Sequence, residues 1–92
     1  MVEQQVVITN RLGLHARAAA QLVSAANRFN CQTRIERIDG SATADAKSIL
    51  SVLMLAALRG TELKLIADGV DEKQAIGALT ELFADGFGES TP

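Results

Sequence analysis

His15 is the single histidine of this 92-residue chain. It stands in Gly13-Leu14-His15-Ala16-Arg17, between a strand-like run and an alanine-rich, helix-like one. That spacing puts an imidazole beside the opening backbone N–H groups of a helix, with a guanidinium two residues on. A helix start attracts anions, and arginine grips phosphate oxygens in a planar fork. A neutral imidazole is a competent nucleophile near pH 7, and attack on phosphorus would leave a phosphohistidine. The positive end of the helix disfavours imidazolium and keeps the ring able to attack. Arg17 and the unpaired N–H groups of Ala16, Arg17 and Ala18 are the donors expected to take the phosphoryl oxygens. On these residues alone a plainer reading stays open, because a loop histidine before a helix is more often a cap or a solvated side chain.

The elements that must hold this site follow from hydrophobic period. Val2 to Thr9 reads as a strand, with Val6 and Ile8 on one face. Asn10 to Leu14 reads as a loop. From about Ala16 to Phe29 the period changes to that of a helix, carried by Ala19, Leu22, Val23 and Ala26. Cys31 to Ile38 and Ser41 to Ala44 form a predicted hairpin about Asp39-Gly40, a pair that suits a type I′ turn. A second helix is expected from about Lys47 to Leu58, apolar nearly all round, with Gly60 as its C′ residue. Thr61 to Ala67 alternates as a strand. Asp71 reads as the N-cap of a last helix with Gln74 as capping-box partner. The buried stripe there is Ala75, Ile76, Leu79, Leu82 and Phe83, and Gly86 and Gly88 end it. The order is β-α-β-β-α-β-α, an α+β two-layer arrangement with helices on one face of a sheet. A ferredoxin-like fold with an extra helix is equally allowed by pattern.

Composition narrows the function. Residues 1–92 make one expected domain, with about 89–92 a frayed tail. Three Phe, no Trp and no Tyr leave the core to Leu, Ile, Val and Ala. With a formal charge of −2 and scattered cations, nucleic acid is not an expected partner. One Cys excludes an intrachain disulfide and fits a reducing cytoplasm. No apolar run reaches membrane-span length, and Met1-Val2-Glu3-Gln4-Gln5 lacks the start of a signal peptide. Metal ligation would need several ligands at fixed spacing, so neither metal nor cofactor is expected. A Ser-His-Asp triad drawn from Ser24 or Ser48 has no motif behind it.

Leu12-Gly13-Leu14-His15-Ala16-Arg17-Ala18-Ala19 resembles the active-site motif of the HPr family, the histidine-containing phosphocarriers of the phosphoenolpyruvate phosphotransferase system. The likeness runs through Ala46-Lys47-Ser48-Ile49, Arg59-Gly60-Thr61 and Ala67-Asp68-Gly69-Val70-Asp71-Glu72. Leu53-Met54-Leu55 and Leu82-Phe83-Ala84-Asp85-Gly86-Phe87 are more similar to the nitrogen-related NPr branch. The resemblance implies an open-faced β-sandwich with a four-stranded antiparallel sheet and three helices on one face. It implies that His15 takes a phosphoryl group on Nδ1 from enzyme I and passes it to an enzyme IIA-type protein. The protein would be a carrier rather than an enzyme, cytoplasmic and monomeric. Arg17 would be the active-site arginine, and Ala20, Ile49, Leu50 and Leu53 the partner-docking surface. Each of these could instead be ordinary core, since helix stripes usually are. Ser48 matches a serine that is a regulatory phosphorylation site in some members, although a helix-capping role is the simpler one.

One departure is Ala18, where the family commonly has proline. Two readings compete with the sugar- or nitrogen-linked carrier chain. One is a regulatory module whose partner affinity is switched by phosphorylation of the same histidine. The other is a plain α+β interaction domain with an incidental histidine.

Overall fold

The β-branched alternation at the N-terminus becomes β1 (Val2–Val7), in a computed structural model that describes residues 1–89. It is followed by α1 (Ala16–Ala26), β2 (Gln32–Arg37), β3 (Thr43–Asp45), α2 (Ile49–Leu53), β4 (Glu62–Asp68) and α3 (Glu72–Ala84), with a closing 3₁₀ turn at Gly86–Gly88. The sheet is ordered β1-β4-β2-β3, and every pairing is antiparallel. A ferredoxin-like sheet would instead put β1 and β3 side by side at its centre, so the open-faced arrangement is the one formed.

Register sorts the two faces. Val6 lies opposite Leu63, Ile35 opposite Leu65 and also Ala44. These residues are buried under the helices, as period-two alternation requires. The other face carries charge, with Lys64 between Glu3 and Glu36 at 3.9 Å from each. Alanines let α1 approach closely: Ala18, Ala19 and Ala26 are fully buried beside Leu22. Phe83 and Phe87 pack edge to face within the core, with ring centroids 5.0 Å apart.

Several boundaries differ from the sequence reading, each for a physical reason. Helix α1 stops at Ala26, and Arg28 and Phe29 donate to Ala25 and Ala26 in a tighter turn. The hairpin is not type I′: Gly40 has φ +78°, whereas Asp39 is not in the left-handed region. The Gly40 N–H bonds the Arg37 carbonyl, closing a turn over Ile38-Asp39, and β3 shifts to Thr43–Asp45. Helix α2 is only Ile49–Leu53, because the chain turns inward to bury Leu55 and Ala57, with Ala56 at φ +49°. Gly60 therefore does not end that helix. It sits at φ +89° in the turn before β4, donating its N–H to the Ile8 carbonyl.

The capping box at α3 is not formed either. Asp71 stands at the N-cap position, but its carboxylate accepts from the Asn30 N–H at 2.8 Å. That bond holds the Asp71 carboxyl below the usual carboxylate range. Glu72 takes over the local role, accepting from the Gly69 N–H at 3.0 Å. A tertiary donor outcompetes the local one here, which a local pattern does not register. The expected frayed tail is corrected at Glu89, which is anchored in the site described below; residues 90–92 lie outside the described residues.

Candidate functional site

His15 is the N-cap residue of α1, in extended backbone conformation. Its Nδ1 accepts from the Arg17 backbone N–H at 3.3 Å, and its Nε2 meets the Glu89 carboxylate at 2.7 Å. The bond pattern assigns the neutral ring as the Nε2–H tautomer, with the lone pair on Nδ1. That lone pair faces the helix start through one long bond, while the other edge of the ring is held by a short one. The side chain is 26% exposed, so the ring is supported without being sealed from a partner.

Glycine sets the loop before it. Gly13 adopts φ +67°, and a Cβ there would lie 2.6 Å from the Ala57 carbonyl oxygen. The same carbonyl accepts from the Leu14 N–H at 3.0 Å. Leu14 is buried and anchors the loop in the core. Asn10 is buried too, and donates to the Gly13 carbonyl at 2.8 Å and to Glu89 at 2.7 Å. The His15 ring lowers the Glu89 carboxyl below the usual carboxylate range, partial burial opposes this, and Asn10 adds to the lowering. A depressed carboxyl keeps its charge above the ordinary carboxylate range and loses it only as pH falls below that range. The bond to His15 is therefore intact near neutral pH.

Around the ring, Ala16 and Arg17 are exposed. The N–H groups of Ala16 and Ala18 precede the first intrahelical bond, which the Ala19 N–H donates to the His15 carbonyl. The N–H groups at the helix start, the Nδ1 lone pair and an arginine two residues on are chemically suited to a phosphoryl group at Nδ1. Ala20 is exposed on the next turn, beside Arg17 along a shallow depression.

The α2 residues expected to dock a partner are not core. Ile49, Leu50 and Leu53 are 44%, 67% and 38% exposed, while Val52 and Leu55 take the interior. Leu12, Met54 and Leu58 enlarge this exposed apolar set, and the sequence reading missed them. Ser48 takes the structural role, its Oγ capping α2 by accepting from the Ser51 N–H at 3.3 Å. Asn10 and Glu89 were also missed. Nothing near His15 in sequence points to a residue 74 positions away.

Ala18 occupies the first turn of α1 and is fully buried. Its N–H has no intrahelical partner, so proline is compatible with the hydrogen bonding. Ala18→Pro is expected to raise stability by about 0.5–1 kcal/mol, by restricting the unfolded chain. Urea unfolding checks this; a lower midpoint would mean that the core has no room for the ring.

The chain matches the family described as the PTS HPr component phosphorylation site over residues 2–85. It is 48% identical over 85 residues to the phosphocarrier protein HPr of Pseudomonas aeruginosa, covering 92% of this chain and 93% of that one. It is 43% identical over 91 residues to the HPr of Xylella fastidiosa, covering 99% and 100%. Among solved structures, HPr of Thermoanaerobacter tengcongensis superposes with a TM-score of 0.92 at 40% identity, over 99% of this chain and 100% of that one. A crystal structure of Bacillus subtilis Crh, a domain-swapped dimer, gives 0.72 at 38% identity over 94% and 97%. Among the described residues no helix is long and apolar enough to cross a membrane.

Proposed function

The chain belongs to the HPr family of phosphocarriers of the phosphotransferase system, and on that premise we propose that His15 accepts a phosphoryl group on Nδ1 from phosphorylated enzyme I and passes it to a histidine of an enzyme IIA-type protein. Members of this family are carriers rather than enzymes. The observation that carries the residue assignment is the ring's setting: Nδ1 at the helix start, Nε2 tied to Glu89 at 2.7 Å. The nucleophilic nitrogen is thereby the one beside the donors. Arg17 neutralises phosphoryl charge as it passes, and the N–H groups of Ala16, Arg17 and Ala18 take oxygens.

Docking is assigned to the exposed apolar face of Ile49, Leu50 and Leu53 with Ala20 of α1, since apolar area left open beside a reactive group marks a partner surface. Leu50→Asp is expected to slow phosphoryl uptake roughly tenfold, the scale of one interface anchor. Its circular dichroism and thermal midpoint should match wild type, because Leu50 is 67% exposed. An unfolded variant would return Leu50 to the core, and an unaltered rate would place docking elsewhere.

Within the family we assign the chain to the nitrogen-related branch, on the ending Leu82-Phe83-Ala84-Asp85-Gly86-Phe87 and on Leu53-Met54-Leu55. The sugar-transport reading is the second one, favoured by relatives that carry the plain name HPr. The work is cytoplasmic. A monomer suits a shuttle that offers one face to successive partners, whereas Crh is dimeric. The test is incubation with phosphoenolpyruvate and a matching enzyme I, followed by intact mass for an acid-labile phosphoryl adduct. Discharge is then timed against sugar-type and nitrogen-type enzyme IIA. Absence of an adduct overturns the carrier role of His15, and faster discharge to the sugar-type protein overturns the branch.

A further inference from the structure

We propose that Glu89 is a positioning residue for phosphoryl transfer, fixing the His15 ring through Nε2 and balancing the positive charge the ring acquires when Nδ1 bonds to phosphorus. This rests on the reading of His15 as the phosphoryl acceptor. The supporting geometry is independent of that reading. One carboxylate oxygen takes both the ring at 2.7 Å and the Asn10 amide at 2.7 Å. The Glu89 side chain is 15% exposed, and Asn10 is almost wholly buried and bonded in turn to the Gly13 carbonyl. Carboxylate, asparagine, glycine loop and imidazole thus form one connected network, sheltered from water, where a fixed charge acts more strongly than at an open surface.

The electron balance shows what the carboxylate is for. The Nδ1 lone pair forms the N–P bond, and the bond from phosphorus to the donor's imidazole nitrogen breaks, its pair staying with a donor ring that is protonated on its other nitrogen and so leaves as neutral imidazole. No proton need leave His15. The ring becomes a phosphoimidazolium that still carries its Nε2 proton, now against Glu89. On onward transfer the N–P pair returns to Nδ1 and the ring is neutral again. Charge that develops during the step is met by a carboxylate already in place, so the transition state gains more than the neutral ground state. Glu89 does this from the ring edge opposite Nδ1, away from the anionic phosphoryl group that the α1 N–H groups receive. Two other charged side chains, Arg59 and Asp85, line a depression with Asn10 and Glu89.

Glu89→Gln in the full chain tests this, because glutamine keeps the length and an acceptor oxygen and removes only the charge. Single-turnover uptake from phosphorylated enzyme I is expected to slow about tenfold or more. In the unphosphorylated protein, nitrogen-15 resonances of His15 should show the neutral ring leaving the Nε2–H tautomer for the Nδ1–H one, because the glutamine amide can donate to Nε2 where the carboxylate can only accept. A role confined to anchoring the chain end would not move that second measurement. If wild type takes up phosphoryl and the variant matches it in both measurements, Glu89 is a structural contact and this inference falls alone. If wild type takes up none at His15, the reading of the site falls and this inference with it.

Discussion

His15→Ala is expected to take up no phosphoryl group from enzyme I under conditions where wild type is stoichiometrically modified, with intact mass at neutral and acid pH as the measurement. The loss should be complete because the described residues hold no second imidazole, and neither Arg17 nor an N–H donor can form the N–P bond. The substitution also deletes a cap. His15 Nδ1 accepts the Arg17 N–H, and loss of an N-cap costs about 1 kcal/mol. A second variant, His15→Asn, separates the two effects, since asparagine is among the best caps and is no phosphoryl acceptor. It should lose less thermal stability than His15→Ala and still take up nothing. An adduct of wild-type amount on either variant would put the reactive residue elsewhere.

Gly13→Ala is expected to be the most damaging small change in the site loop. A residue with a Cβ at φ +67° costs about 1–2 kcal/mol, and the clash at 2.6 Å with the Ala57 carbonyl adds an overpacking cost of about 1–3 kcal/mol. A total of roughly 2–5 kcal/mol is a large share of what a domain of this size has, and lowers the thermal midpoint by roughly 10–40 °C. The clash falls on the carbonyl that accepts the Leu14 N–H and on a loop that Asn10 grips at Gly13. The ring one residue beyond Leu14 is displaced with it, so phosphoryl uptake should slow even at temperatures where the variant is folded. Calorimetry and single-turnover uptake at low temperature measure the two effects separately. A midpoint within a degree or two of wild type would show that the loop yields at little cost, and would overturn this account of Gly13.

Legibility from sequence followed distance along the chain. His15 and Arg17 could be placed because a loop, a cap and an alanine-rich helix are neighbours in sequence, and their chemistry depends on that adjacency. The strands were visible as alternation, and α3 as a stripe ending in Phe83. Glu89 was not visible, since a carboxylate near a chain end carries no local sign that it will meet a ring 74 residues away. Asp71 misled for the same reason, its local cap being displaced by the Asn30 N–H. Helix α2 was overextended because Met54 to Leu58 is as apolar as a helix face. Only the left-handed turn at Ala56, set by the need to bury Leu55 and Ala57, shows where the helix stops.

The pairing of β1 with β4 and the reach of Glu89 to His15 have a consequence for biosynthesis. On the ribosome the first strand emerges early and has no neighbour in the sheet until residues 62–68 follow. The reactive ring acquires its second hydrogen bond only when residue 89 is free. A nascent chain therefore displays its imidazole long before the ring is oriented. Orientation of the ring thus depends on chain made 74 residues after it, and is a late step of folding.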